Sequence, residues 1–334
     1  PVTEDLVLLR NGLHGRGPFA RFEKEFAPTA TALPAVGLTR DVADDTPGWE
    51  GDPRCSRQAK RRTIVRVEEV RAAFKQAGSQ LLGVDGPALD RLLQSLDNVD
   101  YFVVGTFPSP YLMGDPEHED PDGRFRLNYL TGEGKVSRDT VPFLLSVPKK
   151  RPGHAAPFPV TVWGHGTGLH SAEIIVRAGY WARQGIAVLG MDMPGHGLYL
   201  DKGQTNLAEV AFRGSCLVPF VKSLTTGRHR DLNGDGVPDS GGWLWTAHPF
   251  HSRDNIRQSV VDMMQATRML RGFDGVAMST QDYDGDGAPN LAGDFDGDGT
   301  PDVGGPVVPI TSSGNSLGGI LAMIHGAVDT NVSA

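Results

Sequence analysis

The segment 307–328, VVPITSSGNSLGGILAMIHGAV, constrains the fold more than any other. A short apolar run ends in a glycine-serine turn, and apolar residues at helical spacing follow at once. Gly314-Asn315-Ser316-Leu317-Gly318 fits G-x-S-x-G, where small residues flank the serine because strand and helix backbones cross closely. In a chain with 43 glycines a lone match carries little weight. The flanking strand and helix supply it, since the pattern needs both to expose a serine Oγ on a sharp turn.

The same alternation runs upstream. FPVTVWG (158–164) reads as a strand, SAEIIVRAGYWARQG (171–185) as a helix, IAVLGMD (186–192) as a strand and RDNIRQSVVDMMQATRMLRG (253–272) as a helix. Short apolar strands alternating with helices predict a parallel sheet covered on both faces. Earlier, RVEEVRAAFKQAG (66–78) and PALDRLLQSLD (87–97) have helical spacing, while DYFVVGTF (100–107), RFRLNYL (124–130) and TVPFLLSVP (140–148) read as strands. Residues 1–60 read as irregular, and the basic cluster RCSRQAKRRTIVR (54–66) as a solvated helix start. The expected class is α/β: an N-terminal α+β region over 1–135, then an α/β core over 136–334 with insertions at 198–252 and 274–306.

Two more segments follow apolar strands. WGHGTGLH (163–170) can turn its amides inward, as acyl transfer requires of an oxyanion site, and DMPGHG (192–197) ends the next strand. Taken with the serine turn, they resemble the α/β-hydrolase superfamily, bacterial extracellular lipases and esterases in particular, over roughly residues 140–334. The resemblance implies a mostly parallel sheet and carboxyl-ester hydrolysis, with Ser316 attacking the carbonyl of an ester or lipid. It implies an oxyanion hole from the amides of Leu317 and of Thr167 or Gly166, and structural roles for His165 and His196. An acyl group is expected under the 198–252 insertion, where Leu217, Val218, Phe220, Trp243 and Trp245 cluster; packing of the insertion's own core is an equal alternative. The rivals are a peptidase on the same fold and a calcium-binding adhesion module on an inactive scaffold.

In that family the carboxylate and then the histidine follow the nucleophile. Only HGAVDTNVSA (325–334) remains for them here, and Asp329 lies too near the nucleophile's own helix. The C-terminal part of the hydrolase sheet is therefore expected to be missing, with a later segment or second chain completing the sheet and the triad. A rearranged triad using His248 or His251 is the alternative.

Three acidic segments share one spacing: DLNGDGVPD (231–239), DYDGDGAPN (282–290) and DFDGDGTPD (294–302). Oxygen ligands at positions 1, 3 and 5 with glycine at 6 make the first part of a calcium loop. Position 12, a glutamate in an EF-hand, is here Gly242, Gly293 or Gly305. The pattern resembles thrombospondin type 3 repeats. Ca2+ is expected at Asp231, Asn233, Asp235 and Asp239, at Asp282, Asp284, Asp286 and Asn290, and at Asp294, Asp296, Asp298 and Asp302. Such loops suit millimolar calcium, so an extracellular or cell-surface location is expected. A formal charge of −8 argues against nucleic acid, and no apolar run is long enough for a transmembrane segment. Cys55 and Cys216 are compatible with one disulfide or two thiols.

Overall fold

Six strands form one mixed sheet in the order β1-β2-β3-β5-β4-β6. They are β1 (Ile64–Arg66), β2 (Val99–Tyr111), β3 (Ser137–Pro148), β4 (Val160–Gly164), β5 (Ala187–Met191) and β6 (Ile310–Gly314). The structure, a computed structural model, describes residues 2–28, 64–82, 85–114, 123–213, 217–279, 282–283 and 287–333. The pairs β1/β2, β2/β3 and β3/β5 are antiparallel, whereas β4 runs parallel to both β5 and β6. The parallel part carries the serine turn, so the expected α/β class holds.

Helices cover both faces, and strand alternation decides which side chain goes where. Val160 and Val162 of β4, Leu189 of β5 and Val141, Phe143 and Leu145 of β3 face one cluster. It includes residues of α1 (Val2–Leu13), α2 (Phe22–Glu25), α8 (Pro249–Arg271) and α9 (Leu317–Val328). Trp163, Val188, Leu144 and Phe102 face the other, among α3 (Val67–Leu82), α4 (Gly86–Ser95), α5 (Ile174–Ala182), α6 (Lys202–Arg213) and α7 (Val218–Thr225). Burial on both sides explains why β4 and β5 read as unbroken apolar runs.

Helix α8 is buried although polar residues dominate one stripe. Gln258 accepts from the Leu112 N–H at 2.9 Å and donates to Pro110 O at 2.9 Å. Gln265 donates to Pro108 O, and Asp262 accepts from Ser109 Oγ at 2.6 Å. The stripe thus satisfies backbone groups at the end of β2 that would otherwise be buried without partners.

Two expectations fail. Residues 2–13 form a helix rather than irregular chain, because Leu6, Leu9 and Leu13 fall on one buried face. Residues 124–130 form no strand: only an isolated bridge joins Leu127 to Gly134. Asn128 takes the rest of the segment into a turn, accepting at its side chain from the N–H groups of Leu130 and Thr131. The 198–252 insertion is partly helical, containing α6 and α7. The stretch 54–63, Cys55 and Cys216 lie outside the described residues. No helix among the described residues is long and apolar enough to cross a membrane.

Candidate active site

Strand β6 ends at Gly314, α9 begins at Leu317, and Ser316 sits exposed between them with φ 52° and ψ −117°. It is the one non-glycine residue with positive φ among those described. Such a conformation costs on the order of 1–3 kcal/mol and persists only where its surroundings fix it. Three glycines do so. A Cβ on Gly318 would stand 1.9 Å from Gly164 O, one on Gly314 2.4 Å from Gly318 backbone atoms, and one on Gly164 2.7 Å from Gly318 Cα. The Asn315 N–H also donates to Gly164 O at 3.0 Å. The ends of β4 and β6 therefore grip the start of α9 through bare backbone, the physical content of G-x-S-x-G here. Ser316→Gly is expected to raise stability by about 1–2 kcal/mol relative to Ser316→Ala, because glycine tolerates this φ. Equal denaturation midpoints for the two variants would show that the turn stores no strain.

Gly166 lies across from the serine. A Cβ there would be 3.6 Å from both Ser316 Cβ and Asn315 Nδ2. The Leu169 N–H donates to Gly166 O at 3.0 Å, closing a tight turn that leaves Thr167 exposed. Leu317, the first residue of α9, has no intrahelical carbonyl for its N–H, and the positive end of the helix dipole adds to it. The expected residues Ser316, Leu317, Gly166 and Thr167 thus meet where β4, β6 and α9 converge.

His165 and His196 stand behind this turn, both fully buried, with ring centroids 4.9 Å apart. His165 Nε2 accepts the Met193 N–H at 3.2 Å, so Nδ1–H donates to Gly166 O at 2.9 Å. Burial pushes His165 down to about 3, with His196 beside it adding to the shift, and burial pushes His196 down to about 4. Neutral rings of this kind brace the turn after β4 against the 192–197 segment. The insertion reaches the same place: Gly241 N–H donates to Gly195 O at 2.8 Å, and a Cβ on Gly241 would meet Gly168 N at 2.6 Å.

Asp192 joins these loops. Its Oδ1 accepts the Ser171 N–H at 2.6 Å, and burial raises it to about 7 despite that bond and Arg228. The folded chain therefore holds a proton that the unfolded chain, at 3.8, has lost. Between those values stability falls as pH rises, by a few kcal/mol at most, and above about 7 the loss is complete. Asp192→Asn keeps an acceptor without the charge, so its stability relative to wild type is expected to be better at pH 8 than at pH 5. Urea unfolding giving the same difference at both pH values would contradict this.

No histidine among the described residues hydrogen-bonds to Ser316 Oγ. His251 is engaged elsewhere, with Nδ1 2.6 Å from Gly123 O and Nε2 2.7 Å from Trp243 O, which rules it out of the rearranged triad. His248 is exposed at the start of α8. His325 has Nδ1 3.2 Å from Ser312 Oγ and Nε2 3.3 Å from Asp329 Oδ2 and from Thr267 Oγ1. That set copies serine, histidine and aspartate in type only. His325 is wholly buried and Ser312 sits within β6. Trp243 is buried against Tyr111 and Met113, outside the insertion, so it ties the insertion to the end of β2, whereas Trp245 is exposed.

The described residues of the acidic loops share their hydrogen bonds. The N–H at position 2 donates to the position 9 side chain each time: Leu232 to Asp239, Tyr283 to Asn290 and Phe295 to Asp302. Position 1 accepts from later glycines: Asp231 from Gly234 and Gly236, Asp282 from Gly287, Asp294 from Gly297 and Gly299. At the middle positions, Asn233 accepts from Asp235 and Asp235 from Val237, as Asp296 does from Asp298 and Asp298 from Thr300. Asp284 and Asp286 lie outside the described residues. The tandem copies meet through position 2, with the Tyr283 and Phe295 rings 5.2 Å apart.

No protein-family profile and no curated protein matches the chain. Among solved structures, it is similar to a cold-adapted esterase from an Arctic intertidal metagenomic library, at 14% identity and a TM-score of 0.28, over 69% of this chain and 58% of that one. It is similar also to the rice cell wall degrading esterase LipA of Xanthomonas oryzae, at 18% identity and a TM-score of 0.30, over 72% of this chain and 41% of that one. The chain thus spans about half the length of these proteins. Similarity this low leaves the function to be argued from the site.

Proposed function

We propose that the protein is a serine hydrolase of carboxylic esters acting through an acyl-enzyme on Ser316. The observation that carries this is the exposed serine at positive φ between β6 and α9, with the Gly166 turn so close that a Cβ on Gly166 would stand 3.6 Å from Ser316 Cβ. Ser316 Oγ attacks the ester carbonyl carbon while its proton passes to a base, and the carbonyl electron pair moves onto oxygen. The N–H of Leu317 and one from the 166–167 turn hold that oxyanion. Collapse expels the alcohol, which takes the proton, and water releases the acid by the same steps.

The base is an imidazole. On this reading it approaches Ser316 from the side of β6 that faces away from β4. Among the described strands β6 pairs with β4 alone, and an open edge next to a nucleophile is a place for a further strand. A cavity of about 290 Å³ within the insertion, lined by Leu198, Leu200, Ala208 and Val221 among others, suits an apolar acyl chain. An extracellular or cell-surface address belongs to the same reading, since the acidic loops suit millimolar calcium.

The test is turnover by the protein expressed from its complete gene. p-Nitrophenyl esters are expected to be hydrolysed and peptide anilides not. Cleavage of anilides at a comparable rate would make it a peptidase, and turnover of neither would overturn the reading.

A further inference from the structure

Two of the acidic loops, 231–239 and 294–302, fold alike but sit differently. Loop 231–239 lies in the insertion with its middle residues exposed. Loop 294–302 is built into the body of the protein: Asp294 and Asp302 are buried, and Phe295 between them is part of the core. Its exit is fastened to the active-site sheet, because the Phe158 N–H just before β4 donates to Asp302 O at 2.8 Å and the Gly304 N–H donates to Phe158 O at 3.1 Å. The Gly305 N–H donates to Leu270 O at the end of α8.

The carboxylates of this loop are not fully served by the chain. Asp302 uses Oδ2 to accept from Phe295 and Asp296 N–H groups, while its fully buried Oδ1 has no hydrogen-bond partner. The equally buried Tyr101 hydroxyl faces the Asp302 carboxylate closely enough to interact with it, but without hydrogen-bond geometry. One oxygen each from Asp294, Asp296 and Asp302 lies within 4.8 Å of the others, a spread that ligands at about 2.3–2.6 Å around one Ca2+ accommodate. Into this group reaches Lys150, from just after β3. Its Nζ donates to Asp296 Oδ2 at 3.0 Å and to Asp298 Oδ2, and stands 3.6 Å from Asp302 Oδ1. One ammonium meets three of the loop's four carboxylates, so when all four are ionised three negative charges stay uncompensated at short range.

We propose that Asp294, Asp296, Asp298 and Asp302 bind one calcium ion, and that Lys150 competes with it for the same carboxylates. Entry of the ion moves the ammonium out toward solvent, where the long stem already leads, since Lys150 is part-exposed. The bound ion then clamps the chain between α8 and the start of β4, beneath the strands that carry the serine. Neither step passes through the reaction, so the site can fail while the esterase reading stands, and the reverse.

The experiment is calorimetric titration of the chelator-stripped protein with calcium at fixed ionic strength, alongside hydrogen exchange. Lys150→Ala is expected to tighten one class of site about tenfold, the scale of one or two part-exposed ion pairs. Asp302→Asn is expected to remove that class, and Asp231→Asn to leave it intact. Calcium should slow exchange at Phe295, Gly297 and Gly299 in wild type and not in Asp302→Asn. Should Asp302→Asn fail to fold, Asp296→Asn, on the loop's outer side, gives the same reading. Absence of calcium binding, or unchanged binding in both aspartate variants, would overturn the site. Unchanged affinity in Lys150→Ala would overturn the competition.

Discussion

Ser316→Ala is expected to lower kcat for ester hydrolysis by at least ~10³-fold in the protein expressed from its complete gene, with the fold intact. No other described hydroxyl stands at a strand-to-helix turn with a helix N-terminus beside it and the glycine turn of 166–169 opposite. Alanine meets the same backbone strain as serine, so the loss reads the hydroxyl and not the turn. Ser312→Ala is the matched control, because Ser312 also has a histidine within 3.2 Å. Its Oγ lies inside the packing between β6 and α9, and its removal is expected to change stability and not the chemical step. A large kcat loss in Ser312→Ala with activity kept in Ser316→Ala would transfer the nucleophile to β6.

The second large effect concerns a residue with no functional group. Gly318→Ala places a methyl carbon 1.9 Å from Gly164 O, well inside contact distance. That oxygen belongs to β4 backbone and cannot rotate away, so α9 must lift from the sheet. A loss on the order of 3–5 kcal/mol is expected, comparable with severe overpacking, and enough to unfold a marginal domain. Gly319→Ala one position on is the comparison, since its Cβ would stand 3.6 Å from Gly314 O, ordinary contact. Denaturation that finds the two variants alike would mean that the β4–α9 contact is looser than described.

Why some of this was readable and some not follows from the range of the forces involved. β4, β5 and β6 announce themselves because strands buried on both faces must be apolar throughout, and the elbow because its glycines and serine are adjacent in sequence. α8 shows its helical spacing, but the purpose of Gln258, Asp262 and Gln265 appears only once β2, some 150 residues earlier, lies beside them. α1 is hard to read although Leu6, Leu9 and Leu13 are spaced for it, because the glycines and prolines that follow mark the N-terminal stretch as irregular. RFRLNYL alternates like a strand, yet among the described residues only a single bridge, to Gly134, pairs with it, and Asn128 bends it into a turn. Local spacing marks the three acidic loops as copies of one pattern. It could not reveal that Lys150 reaches into one of them from 146 residues away. The base that the proposed mechanism requires is the same kind of problem: a partner fixed by geometry, not by spacing.

The most direct test of the account is covalent. A fluorophosphonate probe reacts with a serine only when its hydroxyl is activated and an oxyanion site faces it. Applied to the protein expressed from its complete gene and followed by peptide mass spectrometry, it is expected to give one adduct, on Ser316, absent in Ser316→Ala and kept in Ser312→Ala. An adduct on another serine, or none under conditions where esters are hydrolysed, would contradict the assignment of Ser316 as the nucleophile.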